Sequence, residues 1–199
     1  MHRKVKTEFQ YPPVIIKIVE DIPGGGLISR VPLQDAIEEL PPGAIVVKDE
    51  NGLYQVLKTA KAQSTAAANA VNYQVEKNHV FKVGDAVTVG GDFARAANVI
   101  SAIDKSNAKF DRLTLAGTIG AAAVGDVLVL AKEAAAAGEA APKYGDKTSE
   151  LAVTMNKVNL TIANQSAGLL IRGSVNRKTM PYAVDSAIIG RMPLIRFVA

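Results

Sequence analysis

Histidine is the side chain that most often moves protons in catalysis near neutral pH, and this 199-residue chain has two, His2 and His79. His2 stands near the terminus, so any histidine chemistry rests on His79. It lies in Lys77-Asn78-His79-Val80-Phe81, a turn leading into a strand. The serine nearest to a nucleophile elbow is Ser174, in Arg172-Gly173-Ser174-Val175-Asn176, and it lacks the second glycine of G-x-S-x-G. The absence of cysteine removes thiolate nucleophiles, thiolate metal sites, iron–sulfur clusters and disulfides. Gly24-Gly25-Gly26 continues into Leu27-Ile28-Ser29, not into the Gly-Lys-Ser/Thr of a phosphate-cradling loop, and reads as a flexible turn. Asp85, Asp92 and Asp126 follow a glycine, Asp104 precedes Lys105 and Asp111 lies close to Lys109, contexts where turn carboxylates belong. A glycosidase pair would need two carboxyls roughly 5–9 Å apart, a property that sequence spacing does not reveal. No catalytic, metal-ligating or cofactor-binding residue is assigned, no cofactor is expected, and the chain reads as no enzyme.

The elements that would have to position any site are short strands. Hydrophobic residues make up 48% of the chain but aromatics only 5%, so the core is built from Val, Ile, Leu and Ala. No apolar run approaches the ~20 residues of a membrane span, and no signal-peptide segment follows the basic start. Residues 1–13 read as an extended arm, because Tyr11-Pro12-Pro13 disfavours helix and sheet interiors. Residues 14–19 read as a strand, and residues 32–40 as a short helix stopped by Pro41-Pro42-Gly43. Residues 45–47 and 53–57 flank Asn51-Gly52, a hairpin signal. Residues 59–70 read as a loop or short helix. Strands are expected at 72–75, 81, 86–89, 97–103 and 112–115. Val127-Leu128-Val129-Leu130 has no polar alternation, which predicts a strand covered on both faces.

One internal echo stands out. Val83-Gly84-Asp85-Ala86-Val87-Thr88-Val89 recurs as Val124-Gly125-Asp126-Val127-Leu128-Val129-Leu130, so Gly84, Asp85, Gly125 and Asp126 mark two similar turns feeding strands. Residues 133–142 form an Ala-rich surface excursion and 143–150 a polar linker. Residues 151–162 fit helix or strand, 168–171 strand, 184–191 a short helix and 194–198 a closing strand. The fold class is therefore mainly β, a sandwich- or barrel-like domain of short strands with an extended N-terminal arm and one or two short helices. Its expected parts are 1–43 (arm, strand and short helix), 44–142 (β-domain) and 143–199 (a basic segment closing the β-fold).

Charge is uneven. Residues 151–199 hold six basic side chains and one acid, net +5, whereas residues 1–150 hold 17 basic and 18 acidic, net −1. An acidic partner fits such asymmetry. Nucleic acid is disfavoured, since only Tyr182 and Phe197 lie near those charges.

Residues 73–130 resemble the head fibre proteins of tailed bacteriophages. The likeness runs through Phe81-Lys82-Val83-Gly84-Asp85, Ile100-Ser101-Ala102-Ile103-Asp104, Phe110-Asp111-Arg112-Leu113-Thr114 and Gly125-Asp126-Val127-Leu128. The stretch from Gly173-Ser174-Val175 through Met180-Pro181 to Leu194-Ile195-Arg196-Phe197 is similar to the endings of phage head decoration proteins. The resemblance implies a virion protein on the outside of the capsid, made in the host cytoplasm, often trimeric, with the major capsid protein as partner. No long repetitive shaft follows the β-domain here, which favours a decoration or fibre-base role. Arg3, Lys4, Lys6, Tyr11, Arg172, Arg177, Lys178 and Arg191 then become the candidate capsid contacts. A carbohydrate- or cell-surface-binding β-module and a hydrolase with a hidden carboxylate pair are the competing expectations.

Overall fold

The computed structural model describes residues 13–30, 33, 37–161 and 164–198. The expected arm, with Arg3, Lys4, Lys6 and Tyr11, falls almost entirely outside them. So do residues 32 and 34–36 of the expected first helix. The chain is mainly β. In chain order the strands are β1 (Ile15–Asp21), β2 (Gly26–Ile28), β3 (Glu39–Leu40), β4 (Ile45–Lys48), β5 (Tyr54–Val56) and β6 (Thr59–Lys61). Next come β7 (Asn72–Val75), β8 (Ala86–Val89), β9 (Ala97–Asp104), β10 (Asp111–Leu115) and β11 (Val127–Ala131). The last are β12 (Leu151–Thr154), β13 (Val158–Asn159), β14 (Gln165–Ala167), β15 (Leu169–Asn176) and β16 (Ile195–Val198). One short helix, α1 (Ser186–Gly190), and a 3₁₀ turn at Arg177–Thr179 precede β16.

Two sheets carry the fold. The larger runs β1-β15-β12-β4-β5-β2-β14, with β16 lying parallel beside the second half of β15. The other runs β6-β11-β8-β9-β10-β7 and curls until its edges touch. Ala62 bridges Val75, the Gln63 N–H donates to Gln74 O at 2.9 Å, and the Glu76 N–H donates to Lys61 O at 2.9 Å. The result is a small barrel whose edge strands satisfy each other's backbone groups.

The apolar pattern explains the stacking. Leu128 and Leu130 of β11 point into the barrel with Tyr73, Phe81, Val87, Ile100 and Leu113. Val127, Val129 and Ala131, on the other face of the same strand, pack on Ile45, Val47, Leu151 and Val153 of the large sheet. β11 is thus covered on both faces, as its unbroken apolar run predicts. Each such buried Leu or Val contributes roughly 1.5–3 kcal/mol relative to exposure. A third cluster, with Ile28, Val46, Val56, Ala152 and Leu169, fills the far face of the large sheet beneath β3 and β13.

Several local expectations change. Glu39–Leu40, expected to end a helix, is strand β3, because Leu40 and Glu39 pair with Val158 and Asn159. Residues 59–61, read as loop or helix, form β6 because β11 offers Thr59, Ala60 and Lys61 a ladder. Phe81 is buried in a loop between strands, filling the barrel as a side chain and not as part of a ladder. The described part of the stretch read as helix or strand, residues 151–161, holds β12 and β13. The Ala-rich stretch is tied down by bridges from Ala97 to Ala135 and from Ala131 to Pro142, with Ala140 in the core.

Candidate functional site

The two Val-Gly-Asp turns are built alike. Gly84 and Gly125 take φ of +93° and +96°, a region that a Cβ disfavours. The carboxylate that follows accepts the N–H three residues back, Lys82 N–H to Asp85 Oδ2 and Ala123 N–H to Asp126 Oδ2, each at 2.9 Å. Beyond that they diverge. Asp126 is half-buried, whereas Asp85 is sealed inside and meets Lys58 Nζ at 2.6 Å, both side chains 1% exposed. Lys143 Nζ lies 4.0 Å from the other Asp85 oxygen. Burial pushes the Lys58 amine below its ordinary pKa, and Asp85 pulls it back up. The pair ties the start of β8 to the segment between β5 and β6.

A second buried group forms around Asp111, at the start of β10. Its Oδ1 accepts from Lys77 Nζ at 2.5 Å, and its Oδ2 lies 3.2 Å from His79 Nε2 without an aligned hydrogen bond. His79 Nδ1 accepts the Phe81 N–H at 3.2 Å, which places the proton of the neutral ring on Nε2. Burial holds the His79 pKa down to about 4, against the opposing pull of Asp111. The ring therefore stays neutral near pH 7. It sits in the wall of a cleft of about 590 Å³, with Val14, Pro41, Pro42, Lys105 and Tyr182 around it. Its side chain has no exposed surface, and no hydroxyl donates to it among the described residues. Ser174 is elsewhere, on β15, in register with Lys17 and Arg196. General-base geometry is not assembled at His79.

The remaining carboxylates organise loops. Asp92 Oδ1 accepts the Ala94 N–H at 3.3 Å and Asp104 Oδ1 the Ser106 N–H at 2.9 Å, turn bonds of the kind their sequence contexts predict. Asp185 caps α1 by accepting the Ile188 N–H at 2.8 Å, and its other oxygen accepts the Gly91 N–H at 2.6 Å. One side chain thereby fastens the C-terminal helix to the loop after β8. Among the described residues no group of three or more His, Asp or Glu is placed to hold a metal ion.

The basic candidates separate into two kinds. Arg177 donates to Val184 O at 2.8 Å, and Arg191 reaches Asp146 O at 3.0 Å and Ser149 O at 3.1 Å, so both guanidiniums brace neighbouring loops. Arg172 and Lys178 are exposed. Arg172 shares a face of the sheet with Lys17 and Arg196, two cations that the sequence does not connect with it. The Lys58–Asp85 and Lys77–Asp111 pairs were not foreseen either. Alternation in β10 is the one available sign, since it puts Asp111 on the same face as Leu113 and Leu115.

Neither known protein families, nor curated proteins, nor solved structures match this chain. No helix among the described residues is long and apolar enough to cross a membrane.

Proposed function

We propose that this chain is a structural virion protein that decorates the outside of a bacteriophage capsid, as a head fibre base or auxiliary decoration protein. It acts as a homo-oligomer, a trimer by the resemblance, and its partner is the major capsid protein. The observation that carries this is the division of labour among its charged side chains. Lys58, Lys77, Asp85, Asp111, Asp185, Arg177 and Arg191 are engaged in holding loops and strands together. Exposed charge is left over on the C-terminal quarter, the region of net +5. The double appearance of the Gly-Asp turn on one scaffold supports the same reading, because it is the part of the sequence that resembles the head fibre proteins. No catalysis is assigned.

A carbohydrate-binding module fits less well. Sugar platforms are exposed aromatic rings, and every aromatic residue among the described ones is buried or half-buried.

Binding to purified phage capsids tests the proposal. The intact chain should cosediment with capsids, more weakly as salt rises, and deletion of residues 1–13 should weaken it further. Light scattering should return three times the 20.9 kDa chain mass. A monomer both free and after elution from particles would remove the trimer. Absence of cosedimentation would remove the function.

A further inference from the structure

We propose that the outward face and outer edge of β1–β15–β16 form the surface through which this chain docks on a second protein, one that presents acidic groups around an apolar centre. This rests on the assembly function above and assigns it a place on the molecule. Alternation in β15 turns Gly173 and Val175 inward and Arg172, Ser174 and Asn176 outward. Ladder partners share a face, so Lys17, Ser174 and Arg196 form one outward row across three strands, and Glu20 and Arg172 form the next. Strands lie about 4.8 Å apart, which sets the Cα atoms of Lys17 and Arg196 about 10 Å apart with Arg172 beside them. Lys17, Arg172 and Arg196 stand against Glu20 and Asp21, both exposed on β1, which leaves this small area at +1. Among the described residues none of these five side chains makes an ion pair or a side-chain hydrogen bond, in contrast to Lys58, Lys77, Arg177 and Arg191.

Apolar surface collects in the same place. Eight large hydrophobic side chains are exposed among the described residues, and four of them, Ile16, Ile18, Val19 and Leu194, lie on or next to these strands, each more than half exposed; Ile18, paired with Gly173, turns to the other face at the open edge. Ile16, Ile18 and Val19 lie along β1, whose outer edge pairs with no strand among the described residues. The register of β1 against β15 slips around Ile16 and Val19, and such irregularities discourage simple strand addition. Docking through side chains therefore fits this edge better than extension of the sheet. Uncommitted cations beside exposed aliphatic groups match a surface that is acidic at its rim and apolar at its centre.

The test compares three proteins on purified capsids: the intact chain, Arg172→Glu/Arg196→Glu, and Lys109→Glu as a control on the β9–β10 loop. Both arginines are exposed and their side chains make no hydrogen bond or ion pair among the described residues, so the double variant should keep its melting temperature. Its capsid affinity should fall about tenfold or more, with a shallower salt dependence, while the control stays within about twofold. Hydrogen exchange of the bound intact chain should slow at residues 15–21, 170–176 and 194–198. Equal binding by the double variant, or protection confined to other strands, would overturn the surface and leave the assembly function standing. Failure of the intact chain to bind would overturn both. Tighter binding to duplex DNA or to anionic lipid vesicles than to capsids would overturn the choice of a protein partner.

Discussion

Replacing Asp85 by asparagine removes the negative charge beside Lys58 Nζ, keeps the size of the side chain and still allows the Lys82 N–H an acceptor. Lys58 is fully buried and its amine would then sit uncompensated. Breaking a buried ion pair from one side costs about 3–5 kcal/mol. The lower end is expected, because burial already depresses the Lys58 pKa and lets the amine shed its proton. For a chain of this size each kcal/mol moves the melting temperature by about 2–4 °C, so Asp85→Asn should lower it by about 6–12 °C. The pH dependence has a definite sign. The Lys58 pKa in the folded variant lies below its value in the unfolded chain, so the loss should shrink as pH rises from 7 towards 10. Adding Lys58→Met to Asp85→Asn should recover part of the stability, since no charge is then buried unpaired. Thermal melts and urea titrations of the two single variants and the double at pH 7 and pH 9 would measure this. A loss below about 2 °C, or a double variant as unstable as the sum of the singles, would refute the buried pair as the organiser of this turn.

His79 makes an acid-side prediction. Its folded pKa of about 4 lies below the ordinary 6.5, so the unfolded chain takes up the proton first. Stability should therefore fall between pH 6.5 and 4, on the order of 3 kcal/mol in all, and urea midpoints of His79→Gln should be flatter across that window. Asp185→Ala should cost about 1–2 kcal/mol through loss of the α1 cap and of the tie to Gly91, read as a lower urea midpoint at unchanged slope. Gly84→Ala and Gly138→Ala should cost similar amounts, about 1–2 kcal/mol each, since both have positive φ and open space around them. Gly138 is no milder a site than Gly84 although it lies in a surface excursion, because its φ is +85°. Gly173→Ala should cost more than either, because its Cβ would run into the carbonyl oxygen of Lys17 across the β1–β15 ladder.

Local chemistry was legible in the sequence. Gly-Asp turns, the β-branched runs, the short helix near 184–191 and the apolar run of β11 all depend on residues within a few positions of one another. Backbone sterics and side-chain alternation act at that range. The hairpin of β4 and β5 followed from Asn51-Gly52, although Asp49 closes it, accepting the N–H groups of Asn51 and Leu53 at 2.9 Å. What tertiary structure alone decided lies between elements distant in the chain. Lys58 meets Asp85 across 27 residues and Asp185 meets Gly91 across 94. A carboxylate in a turn looks the same in sequence whether it faces water, as at Asp104, or a buried lysine, as at Asp85. Only the packing of the curled sheet against the large one removes water from the second and not from the first. In the same way, Lys17, Arg172 and Arg196 become one surface only because β1 and β16 are laid on opposite sides of β15, a choice set by long-range strand pairing and not by any local signal.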